Sequence, residues 1–110
     1  MECKVMLRLS STGDRRGLGF GRGIVQLLEG VDRTGSLFAV AREIGMAYSK
    51  AWRLIKDTEA EFGVGLLNRD GARGSSLTDT ARKMVSIYHE TLEAAQNAAD
   101  AVFKKYSGLS

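Results

Sequence analysis

Proline is absent from the 110 residues, cysteine and histidine occur once each, and aromatic residues make up only 7%. Each scarcity removes a class of protein. A lone Cys3 closes no internal disulfide, and one thiol with one histidine offers no spaced set of metal ligands, so neither a cross-linked secreted scaffold nor a thiolate-metal centre is expected. Apolar runs long enough to span a bilayer are missing. Lys4, Arg8, Arg15 and Arg16 interrupt the start, where a signal peptide would need its apolar stretch. The expected compartment is therefore the cytoplasm, in association with the nucleoid. Paired carboxylates and an activated nucleophile are also lacking, which argues against an enzyme and against a cofactor. The glycines from Gly17 to Gly23 lack the Lys-Ser/Thr step of a phosphate loop and the spacing of a dinucleotide fingerprint, so they read as a turn leading into a helix. His89 has no acid or thiol at a recognisable spacing and reads as a surface or satisfied helical residue.

What is present is a pattern of helices with two short strand signals. A length of 110 residues bounds the chain, 1–110, to one domain with a modest core that an added interface would help. The formal charge of +3 permits a nucleic-acid partner without demanding one, so the sorting of charge between faces decides. Cys3, Val5, Leu7 and Leu9 alternate with Lys4, Met6, Arg8 and Ser10, the period of a half-buried strand. Polar turn residues follow, and Leu18 to Phe20 can return as a second strand, giving an N-terminal strand or hairpin over 1–20 that needs a partner. Ile24, Leu27, Leu28 and Val31 then mark a helix over 21–34.

The stretch 36–62 reads as two helices joined by a short turn. Ser36 can cap the first, Leu37, Val40, Ala41 and Ile44 form its stripe, and Gly45 stops it. Val40, Ile44, Met46, Ala51 and Leu54 fall where two crossing helices share a core. The second helix starts near Tyr48 or Ser49 and stops at Gly63, with Ala51, Leu54, Ile55, Thr58 and Phe62 inward. At 100° per residue, Ser49, Arg53, Lys56 and Ala60 then face outward, flanked by Lys50, Asp57 and Trp52. Hydroxyl and cationic groups near the start of such a helix suit the base edges and phosphates of a major groove. Next, 65–78 reads as a hairpin: Leu66 and Leu67 begin a strand, DGARGSS turns, and Ser76 to Thr78 return. Arg73 stands at its tip between glycines, with Arg69 and Ser75 beside it, placed to lie on a sugar-phosphate backbone.

The last stretch, 79–106, contains neither glycine nor proline, roughly 28 residues and about 42 Å if wholly helical. Ala81, Val85, Tyr88, Leu92, Ala95, Ala99, Val102 and Tyr106 are spaced by alternating steps of four and three, a heptad seam. A helix of this length needs another surface for its stripe. The simplest is the same helix in a second copy, with Val85, Tyr88, Leu92, Ala95, Ala99, Val102 and Tyr106 as the dimer residues.

The run GSLFAVAREIGMAYSKAWRLIKDTEAEFGVGLLNR, followed by a glycine-containing hairpin and SSLTDTARKMV, resembles the N-terminal winged helix-turn-helix of ModE-type molybdate-responsive regulators and, more distantly, of LysR-type regulators. Tyr48-Ser49-Lys50-Ala51-Trp52 is the most specific part of the likeness. The resemblance implies a mainly α fold with a small β component, the winged helix-turn-helix. In such a fold the helix carrying Ser49, Lys50 and Arg53 docks DNA, the wing adds contacts, and the first strand and long last helix build a dimer. Full-length ModE-type regulators continue into oxyanion-binding domains and LysR-type ones into an effector domain. The present chain stops at Ser110, so it resembles stand-alone members and sensing of molybdate is not carried over.

Together these readings predict a homodimeric, sequence-specific DNA-binding transcriptional regulator whose partners are double-stranded DNA and itself, with no membrane. The expected DNA contacts are Ser36, Tyr48, Ser49, Lys50, Trp52, Arg53, Lys56, Arg69, Arg73 and Ser75. The alternative is a protein-interaction module on the same scaffold. It is kept open by Trp52, since large aromatics are enriched at protein hot spots.

Overall fold

Helix α1, Arg22–Thr34, is the central wall, and its sequence explains why: Ile24, Val25, Leu27, Leu28 and Val31 recur at helical spacing and all are buried. In the computed structural model, which describes residues 2–11, 19–71, 74–106 and 108, α1 is followed by α2 (Leu37–Glu43), α3 (Tyr48–Phe62), β1 (Leu67–Asp70), β2 (Gly74–Leu77) and α4 (Asp79–Lys104). The architecture is mostly helical with a two-stranded antiparallel hairpin and a long last helix, as expected.

Left-handed glycines punctuate the helices. Gly35, at φ +74°, ends α1 by donating its N–H to the Val31 carbonyl at 2.7 Å, and Gly63, at φ +66°, ends α3. Ser36 caps α2 by accepting the Ala39 N–H at 3.1 Å. Helix α2 buries Leu37, Val40 and Ala41. Ile44, expected in the shared core, is the C-cap of α2 and is 37% exposed, while Met46, beyond the Gly45 turn, packs on the core. Helices α1 and α2 approach closely at Gly30. A Cβ there would stand only 2.5 Å from a Val40 methyl, so this glycine serves close approach rather than a turn.

Phe20 is wholly buried and meets Phe62 of α3 and Tyr88 of α4 edge-on, with centroids 6.3 and 6.4 Å apart. It ties the start of the chain to both helices. The N-terminal segment keeps the expected alternation, with Cys3, Val5, Leu7 and Leu9 half-buried and Lys4, Met6, Arg8 and Ser10 exposed. Its antiparallel pairing with the returning chain is seen at Leu9 and Phe20, which exchange two backbone hydrogen bonds of 2.9 and 2.6 Å. Among the described residues, one bridge joins Leu9 to Phe20, and the rest of the segment lies along α4. There Gln96 stands in for a neighbouring strand: its Oε1 accepts the Val5 N–H at 2.8 Å and its Nε2 donates to the Cys3 carbonyl at 2.6 Å. The turn expected over 11–17 and the strand residue Leu18 lie almost entirely outside the described residues.

The expected wing forms one or two residues later than its first strand was placed, with Leu67 opposite Leu77 and Asp70 opposite Gly74. Leu66 is fully buried below it rather than in the strand. Hydrogen bonds at its base and side fasten this hairpin. The Leu66 N–H donates to the Glu59 carboxylate at 2.7 Å, the Thr78 hydroxyl donates to the Gly65 carbonyl at 2.7 Å, and the Ser75 N–H donates to the Gly35 carbonyl at 2.8 Å. Thr78 also caps α4 by accepting the Ala81 N–H at 3.0 Å. Helix α4 ends at Lys104, slightly before the expected limit, and no helix among the described residues is long and apolar enough to cross a membrane.

Candidate nucleic-acid interface

Helix α3 presents one polar face because the buried set Ala51, Ile55 and Thr58 occupies the opposite side. Thr58 lies inward at little cost, since its hydroxyl donates to the Leu54 carbonyl at 2.7 Å. Tyr48, Ser49, Lys50, Arg53 and Lys56 are exposed. Ala47 stands at the N-cap of α3 and offers no side-chain bond, and the first turn has no acidic residue. The Lys50 N–H turns back to the Ala47 carbonyl at 3.0 Å, so the N–H groups of Tyr48 and Ser49 and the positive end of the dipole are what this end offers an external acceptor.

An aromatic row borders this face. Phe38 of α2 meets Tyr48 edge-on at 5.6 Å, and Tyr48 meets Trp52 at 6.3 Å. Two cations lie over the Trp52 ring, Lys56 Nζ at 5.3 Å and the Arg69 guanidinium carbon at 4.5 Å from its centroid. Lys56 also approaches Glu59 to 3.3 Å, whose other carboxylate oxygen accepts the Leu66 N–H. The row thus runs from α2 across α3 to the wing. Phe38 was not among the expected contacts, because it lies off the buried stripe of α2 and only its neighbour Tyr48 gives it a place.

The expected contact residues divide unequally. Tyr48, Ser49, Lys50, Arg53 and Lys56 share the α3 face, with Trp52 half-buried at its border and Arg69 reaching it from β1. Ser36 is half-buried and its oxygen is engaged as the α2 cap, so its first role is structural. Ser75 is corrected: β2 alternates inward and outward, Ser75 falls with Leu77 on the inward side, and it is only 7% exposed. Arg73, at the wing tip, lies outside the described residues.

The expected dimer seam divides as well. Tyr88 is corrected to a core residue, 5% exposed against Phe20, because the early turns of α4 pack on the chain's own core. Val85 and Leu92 pack against that core and are half-buried. Farther along, Ala95 and Ala99 are half-buried, while Val102 and Tyr106 stand 51% and 54% exposed. Ile87, off the seam, is 53% exposed.

Away from this face, Arg33 grips Glu43 through two hydrogen bonds of 2.6 and 3.2 Å, joining the end of α1 to the end of α2. The hydrogen bond to Arg33 holds the Glu43 carboxyl below its ordinary range, and the same bond raises Arg33. Arg82 meets Asp32 at 2.8 Å, joining α4 to α1. His89 Nε2 lies 3.3 Å from a Glu29 carboxylate oxygen on the surface.

Residues 24–82, more than half of the chain, match the family model described as bacterial regulatory helix-turn-helix protein, lysR family. The fold is similar to a solved complex of the CbnR DNA-binding domain with DNA, at a TM-score of 0.60 and 24% identity, over 76% of this chain and 95% of that one. No curated protein matches. The family match is thus to the LysR-type resemblance, and the ModE-type resemblance is not shown.

Proposed function

Since the chain belongs to the lysR family of bacterial regulatory helix-turn-helix proteins, we propose that it is a sequence-specific DNA-binding transcriptional regulator that acts as a homodimer. The observation that carries this reading is the exposed face at the start of α3, where Ser49, Lys50 and Arg53 stand beside uncapped helix N–H groups, with no acidic residue in the first turn. Such a face fits a major groove, with short polar side chains and cations near base edges. Lys56 and Arg69 flank it and neutralise phosphates, and the wing tip, with Arg73, follows the backbone.

The dimer rests on the far half of α4. Beyond Leu92 the helix outruns the chain's own core, and Ala95, Ala99, Val102 and Tyr106 continue the alternating seam toward solvent. Pairing of two copies there gives an operator of two inverted half-sites, about one helical turn (roughly 34 Å) or a multiple apart. The alternative, an interface for another protein centred on Trp52, has lost its main support, because Lys56 and Arg69 lie over that ring and leave it half-buried.

Selection of bound duplexes from a random pool, followed by titration of the selected and a scrambled duplex, tests the proposal. The expected result is an inverted repeat bound at least a thousandfold more tightly than the scrambled sequence. Equal affinity for the two duplexes would remove sequence-specific recognition, and no binding at low ionic strength would remove DNA as the partner.

A further inference from the structure

Trp52 is the chain's single tryptophan, and its surroundings differ from those of either a core residue or a free surface anchor. It is half-buried at the border of the α3 face. Tyr48 supports it edge-on at 6.3 Å, and Phe38 supports Tyr48 in turn at 5.6 Å. Over the indole lie two cations from different elements, Lys56 one turn later on α3 and Arg69 on the first strand of the wing. At 4.5 Å from the ring centroid, the Arg69 guanidinium is within stacking range, where a planar, weakly hydrated cation gains most from an aromatic face. Across the hairpin Arg69 is paired with Ser75, whose own N–H is fixed to Gly35, so the backbone beneath Arg69 is held and the indole receives the end of its side chain.

An exposed arginine loses much side-chain freedom when it settles on a phosphate, and that loss weakens the contact. A side chain already ordered on an aromatic ring loses less. From this geometry we propose that Trp52 is a positioning residue acting through Arg69: the indole holds the guanidinium in place beside the α3 face, so that the wing and α3 meet the duplex as one preformed surface. The proposal rests on the DNA-binding reading above and deepens it. Trp52 itself reads no base here. Its contribution is the orientation of a phosphate contact, and the Phe38–Tyr48 pair fixes the ring that does the orienting.

The test is a double-mutant cycle on duplex affinity, measured by fluorescence anisotropy across a series of salt concentrations, with the labelled duplex selected above. Trp52→Leu and Arg69→Ala are each expected to weaken binding roughly two- to fivefold, the range of an exposed cation–aromatic contact. Each should also lower the steepness of the salt dependence by about one phosphate's worth. The double variant should be no weaker than the worse single one, since the two act as a unit. Trp52→Tyr, which keeps an aromatic face, should restore most of the affinity and the full salt slope, which a role in folding alone would not predict. Circular dichroism and melting curves establish that each variant is folded. Should Trp52→Leu fail to fold, Trp52→Tyr and Arg69→Lys complete the cycle: the lysine keeps the charge and loses the planar stack, so it should cost affinity with the aromatic ring present. Losses that add in the double variant, or an unchanged salt slope in Trp52→Leu, overturn the positioning role while leaving DNA binding intact. A parent chain that binds no duplex overturns both.

Discussion

Arg53 and Lys56 stand three residues apart on the same exposed face of α3, but their neighbours separate them. Lys56 is 3.3 Å from Glu59 and lies over Trp52, whereas Arg53 has no ion-pair or aromatic partner among the described residues. Arg53 is accordingly the cation best able to make a bidentate contact with a guanine edge. Arg53→Ala should cost about 1–3 kcal/mol of binding and relax base preference at one position of each half-site, read by titration of single-substituted duplexes. Lys56→Ala should weaken all duplexes alike and flatten the salt dependence. A second prediction concerns pH. The Arg33 hydrogen bond lowers the Glu43 carboxyl in the folded chain, so the pair contributes stability that is complete above the ordinary glutamate range and is lost as pH falls through the lowered value. Carboxyl titration followed by NMR should place Glu43 below the ordinary glutamate range, and Arg33→Ala should return it to that range.

At the scale of elements, Gly30 sets how closely α1 and α2 approach. Gly30→Ala adds a good helix former at a helical site, worth about 1 kcal/mol in an open position. The new methyl would stand 2.5 Å from a Val40 methyl, however, and overpacking of this kind costs about 1–3 kcal/mol. The net expectation is a lower melting temperature in calorimetry, with Val40→Ala partly rescuing the double variant. The same elements show what was legible in advance. The stripes of α1 and α3, the stop at Gly63, the Ser36 cap and the hairpin after α3 each follow from local spacing and local hydrogen-bonding chemistry. Ile44, Ser75 and Tyr88 were misplaced because their surroundings are decided by tertiary contacts. Beyond the Gly45 turn Met46 rather than Ile44 packs on the core, the inward side of β2 buried Ser75, and Phe20 drew Tyr88 into the core. Periodicity finds a seam in α4 but does not tell which part of it the chain's own core will cover. The N-terminal segment shows the same limit: its alternation was readable, but its partner, the amide of Gln96, lies 91 residues from Val5. The aromatic row from Phe38 to Trp52 was invisible for a similar reason, since it joins two helices across their turn.

At the scale of the whole molecule, α4 makes the shape anisotropic, with extents of 56 × 32 × 23 Å. Its far half is where association should be most sensitive. Val102→Asp combined with Tyr106→Asp should shift the chain from dimer to monomer in sedimentation velocity, with little change in melting temperature, since both side chains are about half exposed. Operator affinity should fall steeply while affinity for a single half-site stays near that of one parent protomer, because the two heads are no longer linked. Tyr88→Asp should instead unfold the protomer, since it places a charge in the core beside Phe20.

The single bond from the Ser75 amide to the Gly35 carbonyl has a mechanical consequence. It hangs the wing on the turn between α1 and α2, and the Arg82–Asp32 pair in turn fastens α1 to the base of α4. In the proposed dimer these ties link the wing and α1 to α4, so the spacing between the two α3 faces is expected to be set where the copies join rather than within each protomer. Operators with base pairs inserted between their halves should lose affinity abruptly at the first insertion instead of fading gradually.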